Sequence, residues 1–384
     1  MIPVRYNLRS IIVRRVGTLM TVLGVGMTVA VFVSILAMVH GLQNTFVGTG
    51  DPLNLIVIRQ GSQSETNSFF DRPIKGIIET MDGVEKVAGE IVVVINRTRV
   101  SGDTSNILVR GIAVSDNGSP SMELRPEIRI SEGRMFKPGL RELIVSRAVS
   151  LRFKDARIGD SLKIGKSTWS VVGIFDASKT AHDSEIWGDY NEISQEYERP
   201  IYSTLLVRVK DAPSVHAVKD RIANDRRVKL DTFTEKDYFS SQTSSALPIQ
   251  VLGYLVAVIM AIGSCFAVMN TMYAATAYRT REIATLRVLG YRRSSILVSF
   301  FFESVLLAIE RGIVGCLLAL LVNGITTGTT NFTSFSEVVF QFQITPGLML
   351  EGIIFAAIMG GLGGLLPGIR AAATPIIRAL RTEI

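Results

Sequence analysis

The sequence predicts an α-helical membrane protein: four transmembrane helices, with an α+β extracytoplasmic domain inserted between helices one and two. Three observations carry that reading. Apolar residues make up 47% of the 384, with a mean hydropathy of +0.33. They gather into four runs of membrane-crossing length, one near the N-terminus and three near the C-terminus. Between the first two runs lies a long segment, 43–246, in which basic and acidic residues balance.

Taken in order, segment 1–15 is a basic amphipathic start carrying Arg5, Arg9, Arg14 and Arg15. Helix one, 16–42, contains the charge-free run Val16 to Val39, longer than the roughly 20 residues that cross a bilayer core. It is too long for a signal-peptide core and no clean small-residue cleavage site follows, so a retained anchor is expected. Helix two, 247–278, has its apolar core at about Leu247 to Met269, inside an uncharged region from Tyr238 to Tyr278. A basic loop, 279–293, leads to helix three, 294–325. A short outer loop, 326–347, leads to helix four, 348–369, and the tail is 370–384.

The charge of +7 has a place. Arginine concentrates in segment 1–15, in the loop 279–293 (Arg279, Arg281, Arg287, Arg292 and Arg293 against Glu282) and in the tail (Arg370, Arg378 and Arg381 against Glu383). Lysine and arginine mark the cytoplasmic side of a membrane protein. Both termini and the middle loop are therefore expected inside and the domain 43–246 outside. The basic balance is a topology signal and calls for no nucleic acid.

The outer segment is long enough to bury its own core. "LNLIVIR" (53–59) and "EIVVVINRTRV" (90–100) read as strands around a helix at 72–81, and strand, helix, strand recurs at 201–210, 212–224 and 227–233. Two such units at the ends predict one split domain, with halves at about 53–100 and 201–233 and a lobe of about 101–200 inserted between them. The stretches 60–68 and 176–193 read as solvated loops.

Within the lobe, "GDSLKIGKSTWSVVG" (Gly159 to Gly173) ends like a phosphate-binding loop at Gly165, Lys166 and Ser167. That loop needs a glycine five residues before its last glycine. Asp160 stands there, a carboxylate that repels phosphate, and two strands joined by a turn are the expected structure. No other catalytic constellation is present. His40, His182 and His216 are isolated and lack metal-ligand spacing, and no serine-hydrolase elbow occurs. Cys265 and Cys316 both fall in apolar spans, so no disulfide holds the outer domain.

The stretch "NTMYAATAYRTREIATLRVLGYRRSSIL" (Asn270 to Leu297) turns from the end of helix two into a short basic helix. Ile283, Leu286 and Leu289 share one side, and Gly290 ends it. The run Arg279-Thr280-Arg281-Glu282-Ile283, then Arg287, Leu289-Gly290, Arg293 and Phe300-Phe301-Phe302-Glu303-Ser304, resembles the FtsX-like, MacB-type permeases of ABC transporters. "GGLLPGIRAAATPIIRALR" (Gly363 to Arg381) is similar to that family's closing motif, and the order span, outer domain, three spans covers nearly the whole chain.

The resemblance implies a dimeric subunit of the bacterial inner membrane, of two identical chains or of this chain and a paralogue. Each protomer would bind one of two ABC ATPase subunits through the loop after helix two. ATP and magnesium would sit on that partner, leaving this chain without cofactor, metal or catalytic residue. Arg279, Arg281, Glu282, Ile283, Leu286, Arg287, Leu289 and Gly290 would form the coupling helix. Ile283 and Leu286 would enter a groove on the ATPase, Arg281 and Arg287 would pair with its acidic rim, and Glu282 would fix the register. Work done inside would act on a lipid, lipoprotein, peptide or drug-like molecule in the periplasm, with a periplasmic adaptor or lipoprotein and membrane lipid as further partners. The rival reading is a signal transducer that activates a periplasmic cell-wall hydrolase.

One departure from the family pattern stands out. "VLLAIERGIVG" puts Glu310 and Arg311 where the pattern has an apolar residue and a glycine. An intramembrane arginine needs a protein interior, a partner charge or water. Glu303 and Glu310 share a helix face, and Arg311 is expected to pair with Glu351 of helix four or across a dimer axis.

Overall fold

The computed structural model describes residues 15–115, 118–243 and 247–375. Segment 1–14 and the tail beyond 375, with Arg5, Arg9, Arg14, Arg378 and Arg381, lie outside the described residues. The chain divides into two compact units: a membrane unit of 1–40, 248–325 and 341–384, and an outer domain of 41–247 and 326–340.

The membrane unit is built on helices Arg15–Val47, Leu247–Tyr278, Arg293–Ala319 and Pro346–Ala373, here spans one to four. Each is long and apolar enough to cross a membrane. Span three continues as a 3-10 turn, Leu320–Val322. Lipid is as apolar as leucine, so helices gain little by hiding leucine from it and associate instead by close backbone approach at small residues. Glycine supplies that here. A methyl group on Gly315 of span three would lie 2.4 Å from the Gly26 carbonyl of span one. On span four, Gly360 and Gly364 are one turn apart and face Ala308 and Ser304 of span three. A hydrogen bond of 2.6 Å between Thr28 and Ser264 ties span one to span two.

The outer domain is organised on a ten-stranded sheet, with a separate two-stranded pair beside it. In chain order its strands are β1 (Asn54–Arg59), β2 (Phe70–Asp71), β3 (Val84–Thr98), β4 (Thr104–Ile112), β5 (Arg129–Gly133), β6 (Glu142–Ser146), β7 (Ser161–Ile164), β8 (Ser167–Asp176), β9 (Glu185–Asp189), β10 (Ile201–Tyr202), β11 (Thr204–Val209) and β12 (Leu230–Thr234). The sheet order is β12-β1-β11-β3-β4-β9-β6-β8-β5, with β7 on β8. The first four strands are antiparallel and carry helices Pro73–Glu79 and Ala212–Asn224, the split β-α-β arrangement. In helix Ala212–Asn224, Asp211 caps the Ser214 amide, and Val215, Val218 and Ile222 fall on one buried stripe.

β3 joins the lobes. Its first half pairs with β11 and its second half, from Ile91, with β4. The inserted lobe therefore shares a strand with the split domain instead of starting at residue 101. A second correction concerns 176–193, expected as a solvated loop. It contains β9, a fully buried strand between β4 and β6, and the start of helix Tyr190–Glu196. Glu185 and Asp189 at the strand's ends hide it from apolar patterning. Both are satisfied internally, Glu185 by Arg110 and Asp189 by capping the Asn191 and Glu192 amides.

Segment 60–68 is likewise no simple solvated loop, because Glu65 is buried. Arg110 of β4 binds Glu65, Glu90 of β3 and Glu185 of β9 at 2.6–3.1 Å. Arg125 binds Glu90 and Glu235. Glu235 opens the helix Glu235–Ser241 that precedes span two, and it accepts from the Asp51 amide and Asn54 just after span one. Burial alone would raise the pKa of Glu90, but the Arg125 and Arg110 guanidiniums outweigh it and hold the group at about 2. Glu90 is thus held ionised, and every guanidinium nitrogen of Arg110 and Arg125 finds a carboxylate, as a buried charge requires.

The outer loop between spans three and four is a hairpin, β13 (Thr326–Thr330) and β14 (Glu337–Gln341), whose residues 326–340 belong to the outer domain.

Candidate coupling site

Span two ends at Tyr278, the backbone breaks at Arg279, and a new helix runs Thr280–Val288. Glu282 lies in its first turn and Arg287 in its last, both favourable to the helix dipole. Its end is a Schellman motif: the Tyr291 amide donates to the Leu286 carbonyl and the Gly290 amide to the Arg287 carbonyl. Gly290 takes φ +92, a left-handed conformation that glycine adopts freely. The turn out of the helix is therefore encoded by that one residue.

Two contacts fix the helix to the membrane unit. Arg279 Nη1 donates to both carboxylate oxygens of Glu303, at 2.9 and 3.0 Å. The first residue of the loop motif is thereby bonded to the glutamate of the Phe300–Ser304 motif on span three. Ile283 and Ala284 are buried, Ile283 packing in the core with Met272, Ile296 and Phe300. Ile283 therefore points inward and is not offered to a groove on another protein. Leu286 and Arg287 are half-buried, while Arg281, Glu282, Val288, Leu289 and Gly290 are exposed. The apolar tip available to a partner is Val288 and Leu289, beside the charges of Arg281 and Glu282.

The other intramembrane charges separate. Glu303 is buried on Arg279, while Glu310 and Glu351 are exposed. Arg311 is buried, and among the described residues it makes no ion pair, so the expected bond to Glu351 does not form within the protomer. Its carbonyl lies against Gly26 of span one, 3.3 Å from where a methyl group there would sit.

At Gly165 the chain turns between β7 and β8. The Lys166 and Ser167 amides, which a phosphate loop would present to its ligand, both donate to the Glu196 carboxylate. The residues missed by sequence reasoning are the outer network and Glu337, a 2% exposed carboxylate on β14. A charge in mid-strand, as in "NILVRGI" around Arg110, was the one available signal.

The fold and this geometry define a class, the membrane permease of an ABC transporter with a large outer domain between its first two spans. Two family models match: the MacB-like periplasmic core domain over residues 18–225, more than half the chain, and the FtsX-like permease C-terminal region over 254–376. The chain belongs to the MacB/FtsX-like family of ABC transporter permeases. It is 25% identical to a macrolide export ATP-binding/permease protein MacB of Hahella chejuensis, over 96% of this chain and 58% of the relative's length. It is 22% identical to the ABC transporter permease YknZ of Bacillus subtilis, over 99% of this chain and 98% of that one. The solved extracellular domain of the ABC-type transporter YknZ from Gram-positive bacteria overlays 47% of this chain and 99% of its own, with 17% identity and a TM-score of 0.36, a likeness too low to add to the family match.

Proposed function

We propose that this chain is the membrane subunit of an exporter or extractor in the bacterial inner membrane, driven by ATPase subunits that bind the surface of helix Thr280–Val288. The observation that carries the reading is the attachment of that helix. Arg279 on Glu303 and Ile283 in the core fix it to spans two and three, so a force on its exposed side moves those spans. ATP and magnesium belong to the partner, two ATPases serve a dimer of permeases, and both termini lie in the cytoplasm. YknZ, named a permease and matched over 98% of its length, supports an ATPase on a separate chain. The movement reaches the outer domain, where the cargo is a lipid, lipoprotein, peptide or drug-like molecule, handed on with a periplasmic adaptor or lipoprotein.

The test is charge reversal, Arg281→Glu with Glu282→Arg. The variant is expected to fold and insert normally, and to lose stimulation of the ATPase that co-purifies with the unmodified chain. Undiminished stimulation would remove helix Thr280–Val288 from the coupling role.

A further inference from the structure

The inserted lobe has no chain connection of its own to any span. It leaves β3 and returns at β11, so both its covalent links run through the split domain. The split domain, in turn, is continuous with spans one and two. The chain between spans three and four enters the outer domain as the hairpin β13–β14, and that connection is short and bonded. Only residues 323–325 and 342–345 separate the hairpin from the helices, and they are zipped by Gly324 to Phe342 and Phe342 to Ile325 backbone bonds and by the Ile344 amide on Asn323.

The hairpin grips the inserted lobe. Arg99, just past β3, donates to Glu337 Oε2 through Nε at 2.9 Å and Nη2 at 2.7 Å. Arg152, at the end of helix Arg147–Arg152, donates to Glu337 Oε1 at 2.5 Å. Asn106 of β4 donates to the Phe335 carbonyl, and the Val339 amide donates to Ser184 just before β9. Space for the clamp is made by Gly328 on β13, where a methyl group would lie 2.2 Å from Glu337 Oε1 and 2.8 Å from Arg152 Nη2. A carboxylate this buried is stable only with such partners.

We propose that Glu337 is the positioning residue through which the connection between spans three and four drives the inserted lobe, held between Arg99 and Arg152. The outer loop is then the second arm of the transmission, beside the path from spans one and two through Glu235, which meets Asn54 of the split domain and Arg125 of the inserted lobe. The inference rests on the force-transfer reading above and adds to it which residue carries force to which lobe.

Two variants test it in the full chain with its co-purified ATPase. Glu337→Gln keeps the shape and removes the charge; Gly328→Ala keeps the charge and displaces the carboxylate. Hydrogen exchange of segment 326–341 is expected to rise about tenfold or more in both, with β1 unchanged. Spin labels at Leu140→Cys in the inserted lobe and Ala217→Cys in the split domain, with Cys265→Ala and Cys316→Ala, read the distance between lobes. A change on adding ATP is expected in this labelled background and its loss in both variants. Exchange or distance change that persists in both variants at the background level overturns the clamp. Absence of any ATP-dependent change in the labelled background overturns the force-transfer reading and the clamp with it.

Discussion

Spans three and four meet through glycine, alanine and serine, whereas the lobes of the outer domain meet through arginine and glutamate. The difference follows from the two solvents. In lipid an apolar side chain gains nothing by being hidden, so cohesion comes from backbone approach at Gly315, Gly360 and Gly364. In water the outer domain draws its stability from cores such as Val57, Leu205, Val207 and Val218. Its Arg110–Glu65–Glu90–Glu185 cluster adds direction, since each guanidinium nitrogen must find a particular oxygen. Such a junction tolerates rotation poorly and suits a part that must move as a body. The chain also carries separate reporters of its two regions: Trp169 and Trp187 lie in the outer domain, Cys265 and Cys316 in the spans.

The most damaging way to break the comparison is Arg110→Met. The substitution fits the space but leaves Glu65 and Glu185 buried without a guanidinium and Glu90 with Arg125 alone. Removing one partner of a buried ion pair costs about 3–5 kcal/mol. The tryptophan unfolding midpoint of the full chain in detergent is expected to fall steeply, with thiol reactivity of the spans little changed. An unchanged tryptophan midpoint would mean that the network holds nothing.

Gly315→Val probes the other side. Its side chain meets backbone, the Gly26 carbonyl and the Ala30 amide, which cannot swing aside. Overpacking of this kind costs about 1–3 kcal/mol. Cys316, the next residue and buried, is expected to react with thiol dyes at lower temperature, while the tryptophan midpoint holds. A parallel fall in both would show that the two regions unfold together.

What the sequence made legible follows the same division. Long apolar runs are signals contained within one segment, so the four spans stood out, as did the short helix ended by Gly290. The outer network was hidden because its members are distant in sequence: Arg110 reaches back to Glu65 and forward to Glu185, and Arg125 reaches Glu235. β9 and the hairpin were missed for a related reason. "EIWGD" and "TTGTT" are short and rich in polar residues, and the contacts that accompany them as strands, Arg110 on Glu185 and Arg99 and Arg152 on Glu337 of the facing strand, come from far along the chain. Ile283 was placed on the correct helix and the wrong face, since a nine-residue helix with an apolar stripe does not say whether that stripe meets its own spans or a partner.

The smallest effect is expected at Lys166, the residue whose neighbourhood most resembles a nucleotide site. Its side chain is 84% exposed and, among the described residues, pairs with Glu198, itself 80% exposed. Exposed pairs of this kind contribute little, since water and salt screen them. The structural weight at this turn lies in Glu196, which accepts from the Lys166 and Ser167 amides and closes the loop over Gly165. Lys166→Ala is therefore expected to leave the tryptophan midpoint and ATP turnover of the complex unchanged. A loss of turnover would assign the turn a nucleotide-dependent role, and the division of labour between inside and outside would have to be redrawn from that lysine.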